Sequence, residues 1–506
     1  MNLARIIEDH PDDAIALISR GRTTTYGALR QQVEALRSGL AAEGVTAGDH
    51  VVIVVGNKRH FVVAYLAVIG LGAVAVPLHP TSPRPELAQQ ATAVGAVAAI
   101  VGQMAETAWR SLQRADVPSL RFVVFCEPVQ PVGAQDHGPW PSWSVTTIAE
   151  QAVAMTPIAD VAPDDLVALM FTSGTAGAPR AAMLTHGNLL ANLEQIRRSP
   201  EAIRSGDVVY GVLPLSHIYG LNVVLGATLA AGGTLLLVQR FDPSTFVESV
   251  SQRAITVVPG APPMWAALAQ QPEVDPAALR TIRVALTGAA KTPVEVIAAL
   301  RERFGLDLAE GYGLTEASPV VTSSAGLPIR PGSVGRVVGG VELRIVDEGD
   351  DDVLLGDVGE LWVRGPNVFA GYLNDPQATA RVIDAQGWLH TGDLGTVDED
   401  GYVYLVDRAK DLIIVSGFNV YPAEVEQALL LHPLVAEAVV IGVPHGQAGE
   451  AVKAYVVARN GVELDEEALI EHCQQHLARY KAPSKVLVVD ELPRNLSGKV
   501  LRRQLA

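Results

Sequence analysis

The chain has 506 residues, 49% of them hydrophobic and 18% charged, with a formal net charge of -17 at pH 7. That length exceeds what a single hydrophobic core supports, so two or more domains are expected. The acidic balance argues against non-specific binding to nucleic acid or anionic lipid, and two cysteines, Cys126 and Cys473, make neither a disulfide framework nor a metal cluster.

The first residues, MNLARIIEDHPDD, lack the apolar core and cleavage site of a secretory signal. With so few cysteines, an intracellular, cytoplasmic setting is expected. A strand is predicted at His50–Gly56 (HVVIVVG), followed by two apolar stretches long enough to raise the question of a membrane span: Phe61–Leu78 and Ile218–Val238. Both are broken by glycine and end in a β-branched or leucine-rich run. Each is read as a buried helix, a glycine break and a buried strand of a sheet covered on both faces. Further apolar strands are predicted at Ala73–Leu78, Ala98–Gly102, Arg121–Cys126, Thr234–Val238, Ala254–Gly260 and Arg283–Gly288. Strands alternating with helices predict an α/β fold with largely parallel sheets. The repeated helix–glycine–strand arrangement points to two similar subdomains. Gln130–Trp143, rich in Pro and Gly, reads as a surface loop. From Gly332 to about Val406 short strands and turns predict a smaller, mainly antiparallel region. After Asp411 a compact α+β pattern follows, with a helix from about Pro422.

The most informative stretch is LMFTSGTAGAPRAAMLTHGNL (Leu169–Leu189). An apolar strand runs into a loop of small hydroxyl and glycine residues, and a helix (THGNLLANLEQI) is predicted to follow. Thr172, Ser173, Gly174, Thr175 and Gly177 offer backbone N–H groups and hydroxyls to an oligoanion. Glycine lets the backbone approach phosphate closely, and Arg180 adds a fixed positive charge. An ordinary turn has no need of so many hydroxyls and glycines together. No Gly-Lys-Ser/Thr follows, so this is not a Walker loop. Gly311–Gly313 lacks the third glycine of a dinucleotide fingerprint, and Gly70–Gly72 lies inside an apolar run.

FTSGTAGAPR resembles the phosphate-loop signature of the adenylate-forming superfamily, which includes acyl-CoA and aryl-CoA synthetases, nonribosomal peptide adenylation domains and firefly luciferase. The chain carries the rest of that family's motifs in order: LPLSHIYG (Leu213–Gly220), GYGLTEAS (Gly311–Ser318), GELWVRGPNVFAGYLNDP (Gly359–Pro376), GWLHTGDLG (Gly387–Gly395), DRAKDLIIVSGFNVYPAEVE (Asp407–Glu426) and PRNLSGK (Pro493–Lys499). The resemblance implies an AMP-binding domain over 1–406, built of two doubly wound α/β subdomains and a small β-barrel-like one. A hinge at 407–410 and a mobile α+β domain over 411–506 would complete the chain.

It also implies roles, residue by residue. Glu316 is expected to ligate Mg²⁺, with the Thr315 hydroxyl beside it on phosphate. Gly288, Ala289 and Ala290 would pack on adenine, and Tyr312, between Gly311 and Gly313, would cover its other face. Asp393 would accept both ribose hydroxyls, backed by Arg408. Lys499 would bridge carboxylate and α-phosphate, offsetting the negative charge that crowds the transition state. His217 would gate the acyl site. Lys410 is expected to be the hinge about which the small domain turns, bringing Ser416, Gly417 and Phe418 to form a channel for the pantetheine thiol of coenzyme A. The acyl pocket would draw on Ile218, Gly220, Leu221, Gly260, Met264, Gly288 and Gly313.

The chain departs from the family where Arg180 replaces the usual lysine, Ala181 the glycine after it, and Ala176 a threonine. Charge and most hydroxyls survive, so ATP use is expected. GFNVYPAEVE resembles bacterial medium- and long-chain fatty acyl-CoA ligases, which makes a fatty acid the expected substrate. An aryl acid is the alternative, because an apolar pocket accepts a ring as readily as a chain. A dicarboxylate is disfavoured for want of a basic residue among the pocket positions. The absence of an insertion between Gly332 and Gly387 favours coenzyme A over a carrier protein. The expected partners are small molecules: the acid, ATP and coenzyme A. Nucleic acid and an integral membrane segment are excluded, while a homodimer, peripheral membrane contact, and an acyltransferase or deacylase acting on Lys499 stay open.

Overall fold

The computed structural model describes residues 1–127, 139–152, 154–172, 180–408, 411–415, 418–445, 449–459, 462, 464–477, 479–494 and 500–505. The chain divides into two compact units. One comprises Met1–Pro331, Gly335–Glu342 and Arg364–Leu389; the other comprises Gly332–Val334, Leu343–Val363 and His390–Ala506.

The first unit holds two large sheets. Among the described residues one has seven strands, with Ser142–Ser144, Phe122–Phe125, Ala98–Val101, His50–Val54, Val74–Pro77 and Leu166–Thr172 parallel and Arg180–Thr185 antiparallel at the edge. The other has nine strands, with a parallel centre from Ile15–Ser19 through Thr234–Leu237, Val208–Gly211, Val257–Gly260 and Val284–Thr287 to Leu308–Gly313. These strands are β-branched and apolar on both faces because helices cover both sides. Val51 to Val54 are all fully buried, as are Leu235 and Val257. The sheets are tied together by Asn57, whose amide donates to the carbonyls of Gly211 and Leu213 and accepts from Leu215 N–H.

Both long apolar stretches fold as a helix, a glycine break and a strand. Arg59–Gly70 is a helix and Val74–Pro77 the strand after it. In the second stretch the helix opens as eight π-helical residues, Tyr219–Gly226, before Ala227–Ala230 and the strand Thr234–Leu237. No helix among the described residues is long and apolar enough to cross a membrane. The segment read as a loop over Gln130–Trp143 ends otherwise: Ser142–Ser144 adds a parallel strand to the seven-stranded sheet, while 130–138 lie outside the described residues.

The second unit contains a four-stranded sheet, Glu342–Val346, Gly359–Arg364, Leu389–Val397 and Val403–Arg408 in that order, and a five-stranded sheet. The latter pairs Val435–His445 antiparallel with Gly449–Ala458, under helices Pro422–Leu430 and Glu466–His476. Its core is Val425, Leu429, Val440, Val456, Leu469 and Cys473.

Candidate active site

The stretch predicted to bind phosphate is a β-hairpin, not a strand-to-helix turn. Thr172 and Arg180 stand opposite each other at the last rung of the antiparallel pair Leu166–Thr172 and Arg180–Thr185. The helix His186–Arg197 begins only after that second strand, with Thr185 as its cap. Its positive end therefore belongs to the far end of the hairpin, away from the loop. Ser173, Gly174, Thr175 and Gly177 lie outside the described residues.

A second motif runs along the outer edge of this hairpin. Met183 N–H donates to Gly371 O, Ala370 N–H to Met183 O, and Leu373 N–H to Ala181 O, all at 2.9 Å. This backbone pairing delivers Tyr372 and Asp375 to Arg180. The Arg180 Nε donates to Asp375 Oδ2 at 3.1 Å, and its guanidinium lies 5.7 Å from the centre of the Tyr372 ring. A planar, delocalised cation suits both contacts at once, which a point-charged lysine does not. The Ala378 N–H, and then Arg180, hold the Asp375 carboxyl below its ordinary range. Asp375 also caps the helix Pro376–Val382.

Tyr372 extends the chain of contacts to the expected magnesium ligand: its hydroxyl donates to Glu316 Oε1 at 2.8 Å. Burial, with the Glu316 charge beside it, pushes the Tyr372 phenol well above its ordinary range, so it stays a donor. Asp375, Arg180, Tyr372 and Glu316 thus form one connected line from the base of the hairpin loop to the carboxylate.

The backbone of the Glu316 turn is clamped from outside. Thr315–Ala317 is a short 3₁₀ turn. Glu316 O accepts from Phe369 N–H at 2.9 Å. Ala317 O accepts from the Asn367 amide at 2.8 Å, Ser318 O from Asn222 at 2.8 Å, and Val320 O from Asn192 at 3.0 Å. The three asparagines are all but fully buried. Together with the Phe369 N–H they give each of these four carbonyls a hydrogen-bond partner, in line with the rule that buried polar groups are paired. Thr315 is half-buried at the start of the turn.

Gly288 is buried, whereas Ala289 and Ala290 are exposed, and Ala289 takes the left-handed conformation (φ 69°). A Cβ at Gly288 would meet the Tyr219 ring at 3.3 Å, and one at Gly311 would meet Thr322 O at 3.2 Å. Tyr312 is buried on the strand Leu308–Gly313. Just before Gly311, burial pushes the Glu310 carboxyl up, although Thr292 N–H and hydroxyl donate to it.

Of the expected acyl positions, Gly220 and Leu221 lie in the π-helical segment Tyr219–Gly226 and Ile218 immediately precedes it. Ile218 and Leu221 are buried, and the His217 Nδ1 accepts from Tyr219 N–H at 3.2 Å. Added Cβ atoms at Gly220 and Gly313 would meet the backbone oxygens of Pro214 and Pro319 at 2.1 Å. At Gly260 a Cβ would meet Met264 Cε at 2.3 Å. At these three positions glycine serves close packing against the neighbouring chain. Met264 belongs to the core cluster of the nine-stranded sheet.

Asp393 lies in the second unit, where it is buried and stands opposite Arg408 across the pair Leu389–Val397 and Val403–Arg408. Strands Ile413–Val415 and Phe418–Val420 pair with each other. Lys410, Ser416, Gly417, Lys499 and the side chains of Arg408 and Phe418 lie outside the described residues.

Sequence reasoning gave no individual role to Tyr372, Asp375, Asn192, Asn222, Asn367 or Tyr219. Asn367, Tyr372 and Asp375 stand in a stretch quoted only as a family mark, and Tyr219 and Asn222 fall within the range Ile218–Val224 expected to line the acyl pocket; Asn192 carries no local signal.

Glu316 suits magnesium, which takes one or two protein carboxylates and fills its other positions with water and substrate phosphates. Among the described residues no cluster of three or more acid, histidine or cysteine groups forms an all-protein cage.

Residues 3–373 match the AMP-binding enzyme family, and residues 424–499 match the AMP-binding enzyme C-terminal domain. The chain is 38% identical to the 3-[(3aS,4S,7aS)-7a-methyl-1,5-dioxo-octahydro-1H-inden-4-yl]propanoyl:CoA ligase of Mycobacterium tuberculosis, over 99% of this chain and 97% of that one. It is 35% identical to 4-coumarate–CoA ligase 2 of Nicotiana tabacum, over 95% and 88%. Its fold is similar to that of ATP-bound MatB from Rhodopseudomonas palustris (TM-score 0.90, 31% identity, 100% and 98% covered). It is also similar to the anthranilate CoA ligase AuaEII in complex with anthranoyl-AMP (TM-score 0.89, 25% identity, 100% and 96% covered). The fatty-acid expectation finds no counterpart in these relatives, whose printed substrates are ring-bearing acids. With the family's two domain models matching residues 3–373 and 424–499, the chain belongs to the AMP-binding enzyme family and is an AMP-forming acid–thiol ligase.

Proposed function

We propose that the chain activates a carboxylic acid whose carboxylate sits on a short arm from an apolar ring, aryl or alicyclic, and passes the acyl group to coenzyme A. The observation that carries this reading is the near full-length similarity to ligases named for 4-coumarate and for a bicyclic propanoate. Both acids place a ring at the end of a three-carbon acid. The Tyr219 ring lies against Gly288 between buried Ile218 and Leu221, so the surroundings expected to receive such a ring are aromatic and aliphatic.

In this reading Thr172, the hairpin loop and Arg180 serve the ATP phosphates, Gly288–Ala290 and Tyr312 the adenine, and Asp393 with Arg408 the ribose. Glu316, held by Tyr372, would carry Mg²⁺, which neutralises phosphate charge when bound. Lys499 stabilises the attack of carboxylate on the α-phosphate. Rotation about Lys410 then exchanges that lysine for the thiol channel at Ser416–Phe418, with His217 gating the acyl site.

A mass-spectrometric product assay tests it. The protein, ATP and Mg²⁺ are mixed with 4-coumarate, cinnamate, an alicyclic propanoate, benzoate, anthranilate, malonate, and medium- and long-chain fatty acids, with and without coenzyme A. Acyl-CoA and AMP should accumulate fastest with the ring-bearing three-carbon acids. A preference for fatty acids or malonate would refute the substrate class, and acyl-AMP that persists despite coenzyme A would transfer the acceptor role to a carrier protein.

A further inference from the structure

Asn222 is the member of the asparagine clamp that lies on the acyl side. It sits in the π-helical segment Tyr219–Gly226, one residue after Leu221, and is 1% exposed. The Ala227 N–H reaches back five residues to Asn222 O, the hydrogen bond that defines a π turn. Short π segments occur mostly as single-turn bulges and often at functional sites; this one runs for eight residues.

The Asn222 amide nitrogen donates to Ser318 O at 2.8 Å and to Leu189 O at 3.3 Å. Ser318 directly follows the 3₁₀ turn that presents Glu316. Space for this amide is set by Gly226, where a Cβ would lie 2.9 Å from Asn222 Oδ1. The segment that supplies Ile218, Tyr219 and Leu221 to the acid is therefore bonded, through one buried side chain, to the turn that carries the carboxylate for the metal.

We propose that Asn222 is a positioning residue for Glu316: it makes the acyl-side helix and the Glu316 turn move as one piece, so that the carboxylate is aimed only when that helix is in place. The proposal rests on Glu316 as the magnesium ligand. Asn222 touches neither nucleotide nor metal; it acts on the carbonyl two residues after Glu316.

The test uses the full chain and α,β-methylene-ATP, whose α–β bridge is a methylene, so that no pyrophosphate can leave the α-phosphorus and binding is read without turnover. Its affinity is measured calorimetrically with Mg²⁺ and with EDTA, and the ratio of the two is the magnesium preference. Asn222→Ala should lower that preference about tenfold, the usual effect of losing a group that orients a metal ligand. Gly226→Ala, which crowds Asn222 without removing it, should give a smaller drop of the same kind. Asn57→Ala removes a comparably buried amide that pins Leu213 and Leu215 but does not touch the turn, and should lower the melting temperature while keeping the preference. An unchanged preference in Asn222→Ala and Gly226→Ala, or an equal drop in Asn57→Ala, would overturn the proposal. Glu316→Gln separates the two layers: if it loses the preference while Asn222→Ala keeps it, only the positioning role fails; if Glu316→Gln keeps it, the magnesium reading fails as well.

Discussion

The turn that presents Glu316 and the C-terminal segment that carries Lys499 are held by opposite chemistry. Around Glu316 the anchors are neutral: three buried asparagine amides and a backbone N–H on four carbonyls. Near Lys499 the anchors are charges. Arg502 pairs with Asp407 at 3.5 Å, Asp411 at 3.3 Å and Glu426 at 2.6 Å, while Arg494 pairs with Glu437. Arg494 and Val500 form an isolated antiparallel bridge, and Leu501 N–H donates to Pro493 O. Neutral hydrogen bonds in a dry site fix one geometry and ignore salt and pH. One guanidinium among three carboxylates is a costlier device, since each buried charge gives up water for its partner. Burial still pushes the Glu426 carboxyl above its ordinary range even with Arg502 beside it. A segment expected to serve only one of two half-reactions suits an anchor that responds to its surroundings.

The largest expected effect breaks the neutral side at its functional end. Glu316→Gln should cut adenylate formation by about 10²–10³, the scale of losing one electrostatic contributor to a charged transition state, with the melting temperature little changed. Pyrophosphate release measures it. Next comes the charged side: Arg502→Met leaves Asp407, Asp411 and Glu426 facing one another and should destabilise the second unit by about 3 kcal/mol. Urea unfolding at low and high salt reads this, and the loss should shrink at high salt if repulsion among the carboxylates is its source.

A third test asks whether the first unit is as indifferent to pH as its neutral clamp suggests. His186, fully buried, accepts from Leu3 N–H, and burial lowers its pKa to about 4 from 6.5. The unfolded chain therefore takes up a proton between those values that the folded chain does not. Stability is intact above 6.5 and is lost as pH falls toward 4, by about 2 kcal/mol between pH 7.5 and pH 5. His186→Gln should flatten that slope, and an unchanged slope would move its origin elsewhere. Tyr372→Phe, which removes the donor on Glu316, should lower adenylation about tenfold, in line with the loss of a hydrogen bond to a charged group. It should also raise the Mg²⁺ concentration required. The smallest effect is expected from Arg180→Lys: a few-fold change in turnover, with the Asp375 contact kept and the Tyr372 stacking lost.

Much of the architecture was legible because its signal is local. Strands such as Val74–Pro77 and Val257–Gly260 are buried on both faces and read as short apolar runs bounded by glycine or proline on at least one side. Arg180–Thr185 was not legible. RAAMLT has neither β-branched enrichment nor alternation, and its extended form is imposed by pairing with Leu166–Thr172 on one side and Tyr372 on the other. The π geometry at Tyr219–Gly226 was hidden for a different reason: a stretch buried all round carries no periodicity to separate one helix type from another. Residue roles followed the same division. Glu316 and Asp393 stand in motifs, whereas Tyr372 and the three asparagines act across gaps of up to 128 residues, which only the fold closes. The acid itself was least legible, because an apolar pocket wall has the same composition whether it meets a ring or a chain.

The antiparallel pairing of the strands on either side of the expected phosphate loop has an evolutionary corollary. The strands on either side of it meet at one rung of the sheet, Thr172 opposite Arg180, and the helix His186–Arg197 starts a full strand later. Residues 173–179 between them can lengthen or shorten without shifting the two strands or the helix His186–Arg197. Closing a loop between ends already fixed side by side costs little more as residues are added. Such a cassette is open to variation between lineages and to exchange in the laboratory, where grafting residues 173–179 from a relative should alter nucleotide turnover and leave the choice of acid untouched.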